Sequence, residues 1–286
     1  MVEETAHAMH TTHEVAQGAS QEGLKELANW ITLLNEHSHS SLAHFLHHWE
    51  NVVFSLTAAL FLVGISFFAT RKKSLIPTPL QNALELAVES LDNLITGILG
   101  PRGRAYVPFV GTLFLYILIQ NFMGLLPAMK APTSSLNTTV ALAVCVFFYV
   151  QGIGIKENGI IGYIDHFMGS PRDLVGWIMV PLNLPLHILE EFIKPMSLSL
   201  RLFGNILGED SLIAAFVGLG IMSLSFIHSP IGLPLQFPFF LLSMLLGTIQ
   251  ALVFTLLTTI YISLMLPHDH EEHGHSSSTQ TTQGGN

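Results

Sequence analysis

Four stretches of this chain contain no Asp, Glu, Lys or Arg: residues 51–70, 105–129, 131–155 and 211–268. Crossing the hydrocarbon core of a bilayer takes about 20 consecutive apolar residues. Each of the first three windows is long enough to cross once, and the fourth is long enough to cross more than once. The composition agrees. Only 11% of the 286 residues are charged, where a soluble domain carries about 25%. The chain therefore reads as an all-α integral membrane protein.

The charges that remain are unevenly placed. The formal net charge is −9, yet residues 1–50 and 267–286 together hold half of the Asp and Glu. No basic nucleic-acid footprint is present. The single Cys145 excludes a disulfide framework within one chain. The N-terminus is acidic and His-bearing, without the basic and apolar regions of a secretory leader. Residues 1–24 have no Arg or Lys, which also speaks against a transit peptide.

Walking along the chain gives three regions: an extramembrane segment 1–50, a membrane domain 51–266 and a disordered His-rich tail 267–286. "LKELANWITLL" has the pattern of one short amphipathic helix. The first crossing spans about 52–70 and stops at Arg71, Lys72 and Lys73. Residues 79–100 then place Leu80, Leu84, Ala87, Leu91 and Leu94/Ile95 at helical spacing, with Glu85, Glu89 and Asp92 on the other side. That is an amphipathic helix with Pro79 in its first turn, expected on the membrane surface. "GPRGR" is a basic turn. Crossings follow at about 106–126 and 136–153, joined by the breaker-rich "PAMKAPTSS". Residues 156–177 read as a polar connection.

Residues 186–227 look helical, and at 1.5 Å per residue they would run about 63 Å. The hydrocarbon core is only about 30 Å thick. Either Pro195 breaks this helix or it lies steeply tilted. "HSPIGLPLQFP" is a break, and the last crossing covers 239–266. The expected fold has about five crossings and a surface helix, with the last two crossings long and tilted. Arg71, Lys72, Lys73, Arg102, Arg104, Lys156 and Arg172 fall on one side, and Lys25 and Lys130 on the other. The basic side is cytoplasmic by the positive-inside rule, so the N-terminus is outside and the C-terminus inside.

Arg201 stands at membrane depth in "SLSLRLFGNILGED". Charges there are costly and usually functional. At 100° per residue Ser197, Arg201, Gly204, Asn205 and Gly208 share a face, and Gly204/Gly208 form a GxxxG pair suited to a close partner helix. A packing seam with a snorkelling arginine is the plainer alternative, but Arg201 is far from either helix end. Glu190 and Glu191 precede Arg201; Glu209 and Asp210 follow it. In this orientation the first pair lies toward the cytoplasm and the second toward the outside. Intramembrane carboxylates commonly line ion or proton paths. A fixed guanidinium between two acidic clusters would separate two half-paths. Glu190 equally fits a surface i,i+4 pair with Lys194. Asn121, Asn137, Thr138 and Gln250 fit water-lined routes or interhelical hydrogen bonds, the latter being the commoner use. Gln250 lies mid-span in the last crossing. His187 and His228 are of the residue type suited to proton handling, and both equally fit plain interfacial positions.

The His-rich tracts are terminal and lack an open catalytic constellation, so no metal site is read there. The chain has no P-loop, no GxGxxG after a strand and no HExxH. It shows no nucleotide-binding or hydrolytic machinery of its own, and no cofactor is expected.

"LHILEEFIKPMSLSLRLFGNILGED" resembles the signature of subunit a of the F-type ATP synthase membrane sector. "GTIQALVFTLLTTIYISLMLPHDHEEH" is similar to that family's C-terminal helix, and "PTSSLNTTVALA" to its segment around Asn137. The resemblance covers about residues 50–270. It implies a stator in a prokaryotic plasma membrane, a thylakoid-type membrane being less favoured. The implied partners are the rotating c-subunit ring, the subunit b peripheral stalk, the remaining synthase subunits and membrane lipid. It implies Arg201 as the essential arginine facing the ring, with Ser197, Gly204 and Gly208 packing there. Protons would reach a ring carboxylate through one half-channel, ride the ring and leave by another. The implied path residues are Glu190, Glu191, Asn205, Glu209, Asp210, Gln250, Asn137 and His187. Some bacterial members have Glu at position 187 and His at position 243, where this chain has His187 and Ser243. The "EE" and "ED" pairs look closer to the cyanobacterial and chloroplast branch. Ion choice between proton and sodium would rest largely on the ring.

Two other classes fit less well. A secondary transporter could use Arg201 for a substrate carboxylate, but such folds show internal repeats, and the arginine segment has no second copy. A purely structural anchor leaves Glu190, Arg201 and Asp210 unexplained.

Overall fold

The computed structural model describes residues 30, 41–71, 79–126, 128–168, 174–225 and 235–266. Every regular element among them is helical. The order is α1 (Ser41–His48), α2 (Glu50–Thr70), α3 (Pro79–Leu99), α4 (Val107–Met123), α5 (Leu136–Met168), α6 (Leu174–Ser225) and α7 (Phe237–Met265). Short 3-10 turns at Pro101–Ala105 and Pro132–Ser134 introduce α4 and α5. "LKELANWITLL" lies outside the described residues apart from Trp30. So do the His-rich tail, His228 and most of "HSPIGLPLQFP".

Four helical stretches are long and apolar enough to cross a membrane: Glu50–Ala69, Leu136–Asp165, Ile178–Gly220 and Phe237–Met265. The apolar α4 has 17 residues, a length of about 26 Å, just inside the range that spans. These make the five crossings expected. The amphipathic α3 also forms as expected. Leu91 and Ile95 are buried, Glu85 and Glu89 are exposed, and Asp92 meets Arg104 at 3.6 Å.

Two boundaries differ from the sequence reading. The stretch 156–168 is helix, not a polar connection. α5 runs through Lys156 and Glu157, bends at Gly159 and continues to Met168. Gly159 has φ +69°, a left-handed conformation that a side chain would strain. The charges misled because they mark polarity, and an exposed helix turn is polar too. α6 likewise begins at Leu174 and passes through Pro181, Pro185 and Pro195 without ending. Each proline removes one backbone donor and bends a helix, but long intramembrane helices tolerate this. The choice left open at Pro195 is thereby decided: the helix is unbroken. Its apolar stretch Ile178–Gly220 has 43 residues, about 65 Å, so an upright pose in a core of about 30 Å is excluded.

Ile95, Ile117, Val146, Leu202 and Phe254 bring α3, α4, α5, α6 and α7 into one apolar core. Phe54 and Ala58 of α2 pack on Met123 in a smaller cluster. Lipid is as apolar as these side chains, so helix association also needs close fit and hydrogen bonds. Asn121 supplies both on the α4–α7 seam. Its Nδ2 donates to the Gly247 carbonyl at 3.0 Å, and its Oδ1 accepts from Thr133 at 3.0 Å. A Cβ on Gly247 would stand 3.3 Å from Asn121 Cβ, so the glycine lets the helices approach. On the α2–α4 seam, Gln120 donates to Ser55 at 3.1 Å, and the Ser55 and Tyr116 hydroxyls are 2.6 Å apart. Asn158 ties α5 to the end of α7 through the Met265 carbonyl at 2.7 Å.

Candidate functional site: an arginine strip and two acidic clusters on α6

α6 presents two different faces. Leu198, Leu202, Ile206 and Ile213 recur at helical spacing and are buried against the bundle. On the opposite side lie Glu190, Arg201, Gly204 and Gly208, all exposed, with Ser197 half-buried among them. A Cβ built on Gly204 or Gly208 meets nothing within 4 Å among the described residues. No carboxylate among the described residues pairs with Arg201. The arginine therefore sits on a small-residue strip that the described residues leave uncovered.

Asn205 does not stay on that strip. It lies 40° around the helix from Arg201 at 100° per residue. That is enough to tuck its amide between helices, where Nδ2 is buried without a hydrogen-bond partner. One turn on, Glu209 has the Ser243 hydroxyl of α7 as a side-chain hydrogen-bond partner, while its Oε2 is buried and unpartnered. Gln250 Nε2, on α7, is buried and unpartnered as well. Such orphans are uncommon in folded proteins and call for an explanation. Asp210, next to Glu209, is exposed on another face and makes its own interaction.

Two contacts set the register of α7 on α6. Glu209 meets Ser243, and Lys194 lies 5.8 Å from the Tyr261 ring centroid. The helices are thus antiparallel, and Gln250 comes level with residues 202–205. The three orphaned polar atoms accordingly line one seam, beginning beside Arg201 and running toward the C-terminal end of α6. By residue count Glu209 is about 12 Å along the helix from Arg201, with Asn205 midway.

The other acidic cluster sits about 15–17 Å from Arg201 in the opposite direction. Lys194 Nζ lies 2.5 Å from Glu191 Oε1 and 3.3 Å from Glu190 Oε1. Gln151 of α5 donates to Glu191 Oε2 at 2.6 Å, and the Tyr163 hydroxyl donates to Gln151 Oε1. A small pocket lined by Gln151, Glu191, Lys194 and Tyr261 opens here. The i,i+4 pair of Glu190 with Lys194, raised as an alternative from sequence, is present. His187 is half-buried about 21 Å from Arg201 along α6. Asn137 is exposed in the first turn of α5. The α5–α6 contacts Gln151–Glu191 and Phe147–Phe192 put Asn137 level with about 202–205.

The structure thus gathers Asn205, Glu209 and Gln250 on one seam and Glu190 and Glu191 on Lys194. Asn137 and Asp210 are exposed, and His187 is half-buried. Gln151, Tyr163 and Tyr261 were not singled out from sequence. Gln151 and Tyr261 are single polar groups in apolar runs whose partners lie on α6, and Tyr163 meets Gln151 across the Gly159 bend of α5, so helical spacing could not find them.

Comparison with known proteins adds the family. The ATP synthase A chain family model matches residues 52–263. An ATP synthase subunit a from Protochlamydia amoebophila (strain UWE25) is 46% identical over 250 residues, covering 87% of this chain and 92% of that one. One from Moorella thermoacetica (strain ATCC 39073 / JCM 9320) is 43% identical over 216 residues, covering 76% and 87%. An ATP synthase subunit a 2 from Syntrophotalea carbinolica (strain DSM 2380 / NBRC 103641 / GraBd1) is 37% identical over 232 residues, covering 81% and 89%. With the family model matching most of its length, the chain belongs to the ATP synthase A chain family.

Proposed function

We propose that this chain is the stator subunit against which the c-subunit ring of a prokaryotic ATP synthase turns, and that it carries two offset proton half-channels. The observation that carries the proposal is Arg201. It is exposed on a span-length apolar helix, among Ser197, Gly204 and Gly208, with no carboxylate among the described residues to pair it. A charge in that setting needs a partner from outside the chain. A carboxylate on a ring helix passing this strip supplies one, and the two glycines give that helix room.

The seam of Asn205, Glu209, Ser243 and Gln250 is our inlet, reached from outside. A carboxylate oxygen and two amides with unfilled hydrogen bonds are suited to ordered water. Glu190, on the arginine strip but toward the cytoplasm, is our outlet group. The Arg201 guanidinium is a fixed positive charge. It repels a proton attempting the direct route between the two and attracts the deprotonated ring carboxylate. Nothing in this scheme performs ATP chemistry; that belongs to other subunits. The N-terminus is outside and the C-terminus cytoplasmic, and subunit b of the peripheral stalk holds the chain against the ring.

The test is Arg201→Ala in the assembled complex. ATP-driven proton pumping into vesicles is lost while the complex still purifies intact. Retained coupled pumping overturns the proposal.

A further inference from the structure

Lys194 is the most heavily engaged cation of α6, and the half-channel scheme gives it no task. Its side chain is 16% exposed and its ammonium touches two carboxylates that differ sharply from each other. Glu191 is 12% exposed and both its oxygens are taken, Oε1 by Lys194 and Oε2 by the Gln151 amide. The amide is itself oriented, because Tyr163 donates to its oxygen and leaves its NH2 facing Glu191. Tyr163 lies beyond the Gly159 bend of α5 and packs on Gly154, where an added Cβ would stand 3.1 Å from its ring. The bend and that glycine together hold the tyrosine in place. Glu190 is 53% exposed, meets Lys194 more loosely at 3.3 Å, and stays on the same strip as Arg201.

A cation on one oxygen and an amide N–H on the other both favour the charged carboxylate, so such a group gives up more on taking a proton. A half-exposed carboxylate with one loose partner gives up less. We propose that Lys194 is a positioning residue of the outlet: with Gln151 and Tyr163 it closes Glu191 into a structural ion pair, leaving Glu190 as the one carboxylate of the adjacent pair that exchanges protons. The step balances simply. Glu190 accepts one proton from the ring side and passes it to cytoplasmic water, or the reverse during ATP-driven pumping, and returns to the carboxylate. The inference rests on the half-channel reading above.

The test uses the whole ATP synthase in liposomes, with ATP-driven proton uptake normalised to the amount of assembled complex. Glu190→Gln slows uptake tenfold or more, and Glu191→Gln slows it less. Adding Lys194→Gln to Glu190→Gln restores uptake several-fold over Glu190→Gln alone, because Glu191 is released to serve. A merely structural lysine predicts the opposite, since a second lesion then only worsens the first. Lys194→Arg keeps the ion pair and gives no such rescue. A double variant no faster than Glu190→Gln, or Glu191→Gln as slow as Glu190→Gln, overturns the role of Lys194 alone. A Glu190→Gln complex pumping at the normal rate overturns both this role and Glu190 as the outlet.

Discussion

Asn121 fixes α7 at Gly247, midway between Ser243 and Gln250, so the seam that carries the inlet depends on one buried amide. Replacing it by Ala deletes two hydrogen bonds of 3.0 Å and leaves the fully buried Thr133 hydroxyl without its acceptor. A buried hydrogen bond contributes about 0.5–1.5 kcal/mol net. Between membrane helices the measured average is about 0.6 kcal/mol, with a maximum near 1.7. Two bonds plus one stranded hydroxyl therefore cost about 1–3 kcal/mol. The clean measurement is a cycle of Asn121→Ala, Thr133→Val and the double variant. Unfolding in dodecyl sulfate is followed by tryptophan fluorescence. The Asn121–Thr133 bond should appear as a coupling energy of about 0.6–1.7 kcal/mol. Additivity within about 0.3 kcal/mol would refute the view that Thr133 holds this amide in place on the α4–α7 seam.

Three further outcomes follow from the geometry. Glu209→Gln should slow ATP-driven pumping at least tenfold, equivalent to about 1.4 kcal/mol, and Asp210→Asn by much less. A Glu209→Gln complex pumping at the normal rate in reconstituted vesicles would remove Glu209 from the inlet. Gly204→Leu and Gly208→Leu should leave the chain's own stability within about 0.5 kcal/mol, as for exposed positions, yet block ring docking or rotation; normal coupled turnover would show that the strip faces only lipid. Gly159→Ala forces a side chain into a left-handed backbone and should cost about 1 kcal/mol or more, read in the same dodecyl sulfate titration; an unchanged midpoint would mean that the bend relaxes freely.

The crossings were legible because lipid imposes a length rule that charge-free windows report directly. The amphipathic α3 was legible because its buried Leu91 and Ile95 keep helical spacing. The continuation of α5 past Lys156 and the early start of α6 were not. The length rule counts hydrocarbon, whereas helix continuity depends on backbone geometry at single residues such as Gly159 and Pro195. The arginine strip was read from the helix wheel almost intact. Asn205 left it through a 40° offset that the wheel treats as the same face but packing does not. The separation of Glu209 from Asp210, and of Glu190 from Glu191, was beyond the sequence. Adjacent residues point about 100° apart, and the partners that distinguish them, Ser243 on α7 and Gln151 on α5, are 34 and 40 positions away.

The most direct test of the central claim is passive proton conduction through the isolated membrane sector carrying Arg201→Ala. If Arg201 is the barrier between the two half-channels, its removal should let protons pass without ring rotation. The leak should then persist when the ring is cross-linked to the stator. A sector that remains tight under that cross-link would contradict the barrier role of Arg201.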